Sequence, residues 1–256
     1  MLINIINLLP LFTVVLFRTA SVLFFSPIYN QTSIPLIVKI GLALVITFAV
    51  FPTIDNTQQT LPDNLTSFLL LIFKEVAVGF LIGYVATLAF GAFVMAGELV
   101  SSDMGLSMAE MVDPLFEDQV SPISQILQLL GLVLFLSING HHWLINALVF
   151  SYKTVPVTGF IETGFTISKV VQMFGGLFIS AIKVAAPVMI IMALIVVVSG
   201  FLARSMPQLN IFLVIFPLKI IAGFLILAMI FPFITRSMEY LLNLLRKDIF
   251  SLVGGM

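Results

Sequence analysis

The chain has 256 residues, of which 61% are hydrophobic and 9% charged, and its formal net charge is −1. Soluble domains are about 45–50% apolar, so this composition predicts an integral membrane protein rather than a soluble domain. The absence of cysteine excludes disulfides, zinc–thiolate sites and iron–sulfur clusters, and the lack of a Lys/Arg cluster disfavours binding of nucleic acid.

A membrane-spanning helix needs about 20 apolar residues, and the chain offers six such hydrophobic regions. They are residues 5–26, 36–51, 65–99, 123–152, 170–202 and 209–233. The first lacks a basic leader and a small-residue cleavage site, so we expect it to be a retained span. We predict an all-α polytopic membrane protein with some helices kinked or hairpin-like, forming a single membrane-embedded domain over residues 1–256.

Charges and prolines interrupt these regions. Pro187, Pro217 and Pro232 each remove a backbone donor inside a predicted helix. A charge at the centre of a membrane helix costs about 2.5–3.5 kcal/mol. The helices therefore pack around a water-filled cavity or face protein partners, although Lys39 and Lys169 fit the simpler reading of snorkelling near helix ends. The other intramembrane charges are Arg18, Lys74, Glu75, Lys183 and Lys219.

Small residues recur every four positions in the third region, at Gly79, Gly83, Thr87 and Gly91. This spacing places them on one ridge of a helix and lets a second backbone approach closely. The ridge predicts tight helix packing, without indicating which helix is the partner.

The fourth region contains the sequence NGHHW, with both histidines of the chain at His141 and His142. Adjacent helical residues point about 100° apart, and residues 123–152 contain no carboxylate, so a metal or haem site is disfavoured. Asn139-Gly140 is a strong turn signal. We therefore expect a hairpin or kinked helix, with the imidazoles bonding freed backbone groups or lining a polar interface.

The most acidic stretch of the chain, MGLSMAEMVDPLFEDQ, follows the third region and also holds Met104, Met108 and Met111. Flexible methionines suit a deformable apolar seal, and carboxylates keep a segment hydrated. A solvated loop of mixed composition explains the stretch equally well. No nucleophile, metal-ligand set or phosphate cradle accompanies the carboxylates, so a catalytic site is disfavoured.

Two features mark the end of the chain. Arg204, Pro207 and Gln208 lie between the last two regions, where proline prevents one continuous helix. Residues 235–250 then place apolar side chains at helical spacing, which predicts an amphipathic helix for an interface or a partner.

Three stretches together resemble the FliR family of flagellar export-gate proteins, which has injectisome counterparts. They are AGELVSSDMGLSMAEMVDP (96–114), FLSINGHHWLINALVFSYKTVP (135–156) and ARSMPQLNIFLVIFPLKI (203–220). The looser match RTASVLFFSPIYNQTSIPLIVKI (18–40) extends the likeness over essentially the whole chain.

The resemblance implies one copy of this chain in a helical pore complex with several FliP-like and FliQ-like subunits, in contact with a FlhB-like protein. This complex would sit in the bacterial inner membrane at the flagellar basal body, surrounded by lipid, and pass unfolded export substrates without a cofactor. The resemblance places a plug loop at residues 106–122 and structural signatures at Gly140, His141, His142, Pro207 and Gln208. The plug residues would be Leu106, Met108, Met111, Asp113, Pro114, Leu115 and Phe116.

The resulting hypothesis is a non-enzymatic pore subunit whose Met-rich loop closes the channel at rest. Intramembrane charges and broken helices also fit a secondary transporter, although the two halves of the chain have no evident internal repeat. A membrane enzyme with His141 as base lacks an orienting carboxylate nearby in sequence.

Overall fold

The computed structural model describes residues 2–27, 29, 34–54, 62, 64–106, 120–157, 159, 163–205 and 211–256. These residues form seven α-helices and one 3₁₀ turn (Phe51–Thr53), and they contain no β-strand. The helices are α1 (Leu2–Phe25), α2 (Leu36–Val50), α3 (Leu65–Met104), α4 (Pro122–Ser137), α5 (Gly140–Thr154), α6 (Thr163–Ser205) and α7 (Ile211–Gly254).

Within these described ranges, four helical segments are long and apolar enough to cross a membrane. They are Leu36–Thr53, Leu65–Met104, Gly164–Ser205 and Val214–Gly254. The pair α4 and α5 meets the same criteria as one broken span, and the apolar part of α1 (Leu9–Phe25) is shorter. These segments correspond to the six hydrophobic regions of the sequence. The prediction of an all-α polytopic membrane protein is confirmed.

The last two helices are unusually long. α6 has 43 residues and α7 has 44, so each extends over about 65 Å at 1.5 Å per residue. A bilayer core is about 30 Å thick. Both helices continue through their internal prolines, Pro187 in α6 and Pro217 and Pro232 in α7. Membrane helices tolerate such residues where neighbouring groups satisfy the freed carbonyls.

The contacts of the chain group it into two compact units. The first unit comprises Met1–Ala89, Leu136–Phe174 and Asn243–Met256, and the second comprises Phe90–Phe135 and Gly175–Leu242. The organisation of residues 1–256 as a single domain therefore stays a prediction.

The core of the first unit lies where α1, α3 and α5 supply branched aliphatic side chains. Phe12 on α1 adds ring contacts to Phe48 and Phe51, with centroids 4.9 and 5.5 Å away. The fully buried aliphatic residues of the first unit include Val14, Val15, Val78, Ile82 and Leu148.

The C-terminal part of α7 completes this first unit. Ile249, Leu252 and Val253 are buried, and the Arg246 guanidinium lies 5.1 Å from the centre of the Trp143 ring. The sequence-predicted amphipathic tail is thus a continuation of α7, and the apolar side chains of its last turns are buried within the chain's own fold.

The core of the second unit is rich in aromatic and methionine side chains. The Phe90 ring lies 5.7 Å from the rings of both Phe93 and Phe135. A Cβ at Gly131 would lie within 3 Å of the Phe93 ring, so only glycine lets α4 pack this closely on α3. Other fully buried side chains of this unit are Met104, Met192, Met238 and Leu242.

Candidate gate site

A buried ion pair joins α1 to α3 in the first unit. The side chains of Arg18 and Glu75 are both 0% exposed. Arg18 Nε donates to Glu75 Oε2, and Arg18 Nη2 donates to Glu75 Oε1 at 2.9 Å. This is the two-pronged geometry in which a guanidinium matches a carboxylate. Two of the five predicted intramembrane charges therefore compensate each other inside the protein.

The end of α5 supplies the remaining partners of Arg18. Arg18 Nη1 donates to Ser151 Oγ at 3.2 Å, and Arg18 Nη1 and Nη2 both donate to the Val155 carbonyl at 3.1 Å. The guanidinium carbon lies 4.2 Å from the centre of the Tyr152 ring, a cation–π contact. We call Arg18, Glu75, Ser151, Tyr152 and Val155 the Arg18 cluster. Through it, one side chain holds three helices together.

The same two helices, α1 and α3, approach each other through glycine. A Cβ at Gly79 would lie 2.5 Å from the Arg18 carbonyl oxygen, and one at Gly83 would lie 2.8 Å from the Val22 carbonyl oxygen. Real Cβ atoms do not come this close to backbone oxygens, so only glycine allows the observed separation.

The other two small residues of the ridge have different surroundings. The Thr87 hydroxyl donates to the Phe25 carbonyl at 2.6 Å, which continues the contact with the end of α1. A Cβ at Gly91 would meet only the Leu177 side chain, at 3.2 Å. The close backbone approach therefore covers Gly79 to Thr87 and stops before Gly91.

The break that the sequence predicts at Asn139-Gly140 is present. Asn139 adopts the left-handed conformation (φ 58°, ψ 35°), a conformation that asparagine tolerates better than most residues. The chain bends by 67° between α4 and α5, which is a kink rather than a hairpin.

The two histidines lie in the first turn of α5, directly after this break. Their ring centres are 4.3 Å apart, His142 is exposed, and His141 is half-buried. The buried Nδ1 of His141 has no hydrogen-bond partner within the described structure, so it does not bond a freed backbone group there. The described residues also contain no group of three His, Cys, Asp or Glu side chains arranged to hold a metal.

A carboxylate ties α3 to the start of α4 in the second unit. Glu98 Oε1 accepts hydrogen bonds from the Ser121 N–H at 2.8 Å and the Ser124 hydroxyl at 2.7 Å. Ser121 Oγ accepts the Ser124 N–H at 3.2 Å, the usual bond of an N-cap serine, and Pro122 occupies the first helical position. A Cβ at Gly97 would overlap the Ser124 backbone, so the two helices are in close contact here.

Only the ends of the predicted plug loop, residues 106–122, are described. The Leu106 N–H donates to the Ser101 carbonyl at 3.0 Å, and Gly105 has a φ of 83°, the glycine-terminated ending common in helices. Pro122 already belongs to α4. The predicted site residues that lie outside the described structure are Met108, Met111, Asp113, Pro114, Leu115, Phe116, Pro207 and Gln208.

The remaining intramembrane charges are lysines on three helices. Lys74 is half-buried beside Glu75, Lys219 is half-buried on α7, and Lys183 is exposed near the middle of α6. In the part of the chain that the structure describes, none of the three forms an ion pair. Lys169 differs from the snorkelling interpretation, because it pairs with Asp248 at 3.2 Å.

The comparison with known families decides what kind of protein carries this arrangement. The model of the bacterial export proteins, family 1, matches residues 9–245. The chain belongs to this family, the FliR family.

The chain is 31% identical to the flagellar biosynthetic protein FliR of Escherichia coli (strain K12) over 239 residues, which cover 93% of the chain and 89% of that relative. It is 32% identical to the FliR of Bacillus subtilis (strain 168), covering 88% and 87% of the two chains. The FliR of Aquifex aeolicus (strain VF5) is also 32% identical, with coverage of 87% and 86%.

FliR membership gives this multi-pass membrane protein a role in flagellar export, as a component of the export apparatus. The FliR family is a non-enzymatic kind of protein. The sequence-based recognition of the family is confirmed, and the finer assignments of plug, signature and packing residues stay predictions.

Two groups of contacts in this FliR chain were not predicted. Arg18 and Glu75 were recognised as separate intramembrane charges, although Glu75 is the one carboxylate of that set and therefore the natural partner for a cation. The role of Glu98 was also not predicted. The Ser-Pro dipeptide at residues 121–122 signals the start of a helix, and the free backbone N–H groups of a helix start can donate to a carboxylate such as Glu98.

Proposed function

We propose that this FliR-family chain is a non-enzymatic, pore-forming subunit of the flagellar type III protein export gate in the bacterial inner membrane. Unfolded flagellar substrates would pass through the pore. Its partners would be FliP-like and FliQ-like subunits and a FlhB-like protein, with lipid around the assembly. No cofactor is required for this role.

The observation that carries the proposal is the length of the exposed apolar surface on α6. Large apolar side chains are exposed from Phe165 to Leu202, which are about 55 Å apart along an α-helix. The hydrocarbon core of a bilayer is about 30 Å thick, so lipid covers only part of this surface. A subunit that assembles with other helical membrane proteins covers the rest, whereas a lone protein leaves it in water.

The Arg18 cluster weakens the alternative of a secondary transporter. Transport sites use intramembrane charges that face a substrate or coupling ion. Glu75 is fully enclosed and both of its oxygens accept hydrogen bonds from Arg18. That carboxylate therefore supports a structural role in joining helices.

The proposed gate is the segment that joins α3 to α4. The contacts of Glu98 with Ser121 and Ser124 hold the two ends of this segment on packed helices. In the closed channel, the Met-rich segment between these two ends would fill the pore. Substrate together with the proton-motive force would displace that segment. Methionine suits such a seal because its side chain adapts to irregular surfaces.

Native mass spectrometry tests the assembly. The tagged chain is purified in mild detergent from cells that also express the membrane proteins encoded by its neighbouring genes. We expect a complex that contains one copy of this chain with several copies of two other small membrane proteins. A stable monomer or homodimer under the same conditions contradicts the proposed function and favours the secondary-transporter hypothesis.

A further inference from the structure

Lys183 has an unusual position among the charges of this protein. It is exposed near the middle of α6, and its nearest charged neighbours on that helix are Lys169 and Arg204. These are about 20 Å and about 30 Å away along the helix axis. In the described part of the chain, no carboxylate lies within ion-pair distance of Lys183.

Lipid alone does not accommodate this arrangement. If the bilayer is centred on Lys183, its ammonium lies in hydrocarbon, where a charge is strongly disfavoured. If residues 184–203 span the bilayer instead, Lys183 reaches the interface, but Ile179 and Ile182, which are 58% and 50% exposed, then project beyond the hydrocarbon. Both placements leave part of the helix in an unfavourable environment.

The surroundings of Lys183 are suited to another helix. Gly176, Lys183, Ile190 and Val197 follow each other at intervals of seven residues, which places them on one side of α6. A Cβ at Gly176 would have no heavy atom within 4 Å, and Ile190 and Val197 are 62% and 56% exposed. We call this surface the Lys183 face. It has room for close approach at its glycine and apolar side chains beyond the lysine.

We propose that the Lys183 face binds a membrane helix of a partner subunit that carries an Asp or Glu at the level of Lys183. The inference rests on the proposed function, since it specifies how the chain joins its assembly. Charge complementarity identifies the occupant. A carboxylate in an apolar partner helix would pair with the Lys183 ammonium, so that neither charge would be left unpaired. The Arg18–Glu75 pair uses the same chemistry within this chain. An anionic lipid headgroup would reach Lys183 only at the interface and would leave the apolar residues on one side of it uncovered.

The test compares variants in the native mass spectrometry described above. Lys183→Met removes the charge and keeps a long side chain, Lys183→Arg keeps the charge, and Lys39→Met is the matched control, because Lys39 lies in the first turns of α2. We expect Lys183→Met to lower the share of the chain found in the complex by about tenfold or more, since it leaves the partner's carboxylate unpaired. Lys183→Arg and Lys39→Met should assemble like the wild type. Membrane levels of all variants should be similar, because Lys183 is exposed in the chain itself.

The outcomes separate the two proposals. A wild-type chain that purifies alone contradicts the proposed function. A wild-type complex that Lys183→Met leaves intact overturns only the inference.

A genetic test gives the identity of the partner group. Lys183→Glu should abolish swimming, and suppressors should change an Asp or Glu in a partner's membrane helix to Lys or Arg. Suppressors found solely within this chain would overturn the inference.

Discussion

The guanidinium of Arg18 on α1 binds both carboxylate oxygens of Glu75 on α3, and neither side chain reaches solvent or lipid. Two opposite charges that each cost energy in a bilayer thus become one neutral unit. The unit also fixes the relative height of α1 and α3, because the fork of the guanidinium accepts a narrow range of positions for the carboxylate.

The first prediction concerns this pair. Arg18→Leu or Glu75→Leu alone should destabilise the protein by about 3–5 kcal/mol, since each leaves a buried charge without its partner. The double variant should be more stable than either single variant. Lys74→Leu, at the half-buried neighbouring position, is the control and should have a small effect. Thermal unfolding of the purified protein in detergent measures the differences, and additive losses in the double variant would contradict the role assigned to the pair.

The second prediction concerns the glycines between α1 and α3. Gly79→Ala and Gly83→Ala should each cost about 1–3 kcal/mol, because the added methyl group would collide with backbone oxygens that cannot move independently. Gly41→Ala on α2 is the control, since a Cβ there meets nothing within 4 Å. The control should be neutral or stabilising by up to about 1 kcal/mol. Equal unfolding temperatures for Gly79→Ala and Gly41→Ala would refute the close packing.

The third prediction concerns the start of α4. Glu98→Ala and Ser121→Ala each remove a partner of the first turn, so each should cost about 1–2 kcal/mol and expose that turn. Hydrogen exchange of the amides in residues 121–125 measures the local effect. Ser168→Ala, which loses only a bond within its own helix, is the matched control. Unchanged exchange in Glu98→Ala would mean that the carboxylate does not hold the turn.

The fourth prediction concerns the proposed gate. Replacing residues 107–119 with a Gly/Ser linker of the same length should leave assembly intact and make the membrane leaky to small solutes. The linker spares Ser121 and Pro122, so the first turn of α4 stays capped. Influx of a small dye into cells that express the complex measures the leak, with Ser168→Ala as the control, because Ser168 bonds only within its own helix. A variant that assembles and shows no more dye influx than the wild type would contradict the plug assignment.

Local signals in the sequence predicted much of the fold. The apolar regions correspond to the helices, and the Asn139-Gly140 turn marks the bend between α4 and α5 because asparagine adopts a positive φ at little cost. α3 is longer than predicted, since the helix continues through a polar stretch to Met104 and ends only where Gly105 provides the left-handed residue.

Such local signals do not predict contacts between segments that are distant in the sequence. Hydropathy identifies Arg18 and Glu75 as costly charges but carries no information on which residues face each other. The same limit applies to Ser151 and Tyr152, which read as ordinary residues of an apolar helix and yet complete the surroundings of Arg18. A pairing of this kind depends on helix positions that only tertiary packing fixes.

The first unit is discontinuous, because it combines Met1–Ala89 with Leu136–Phe174 and the final segment Asn243–Met256. Trp143 receives Arg246, and Phe150 contacts Phe250 with ring centres 6.0 Å apart, only when that final segment has been made. Both contacts therefore depend on residues that are about 100 positions apart in the sequence. A chain that stops before Asn243 therefore lacks the segment that completes the first unit, and its Trp143 and Phe150 rings lack these partners.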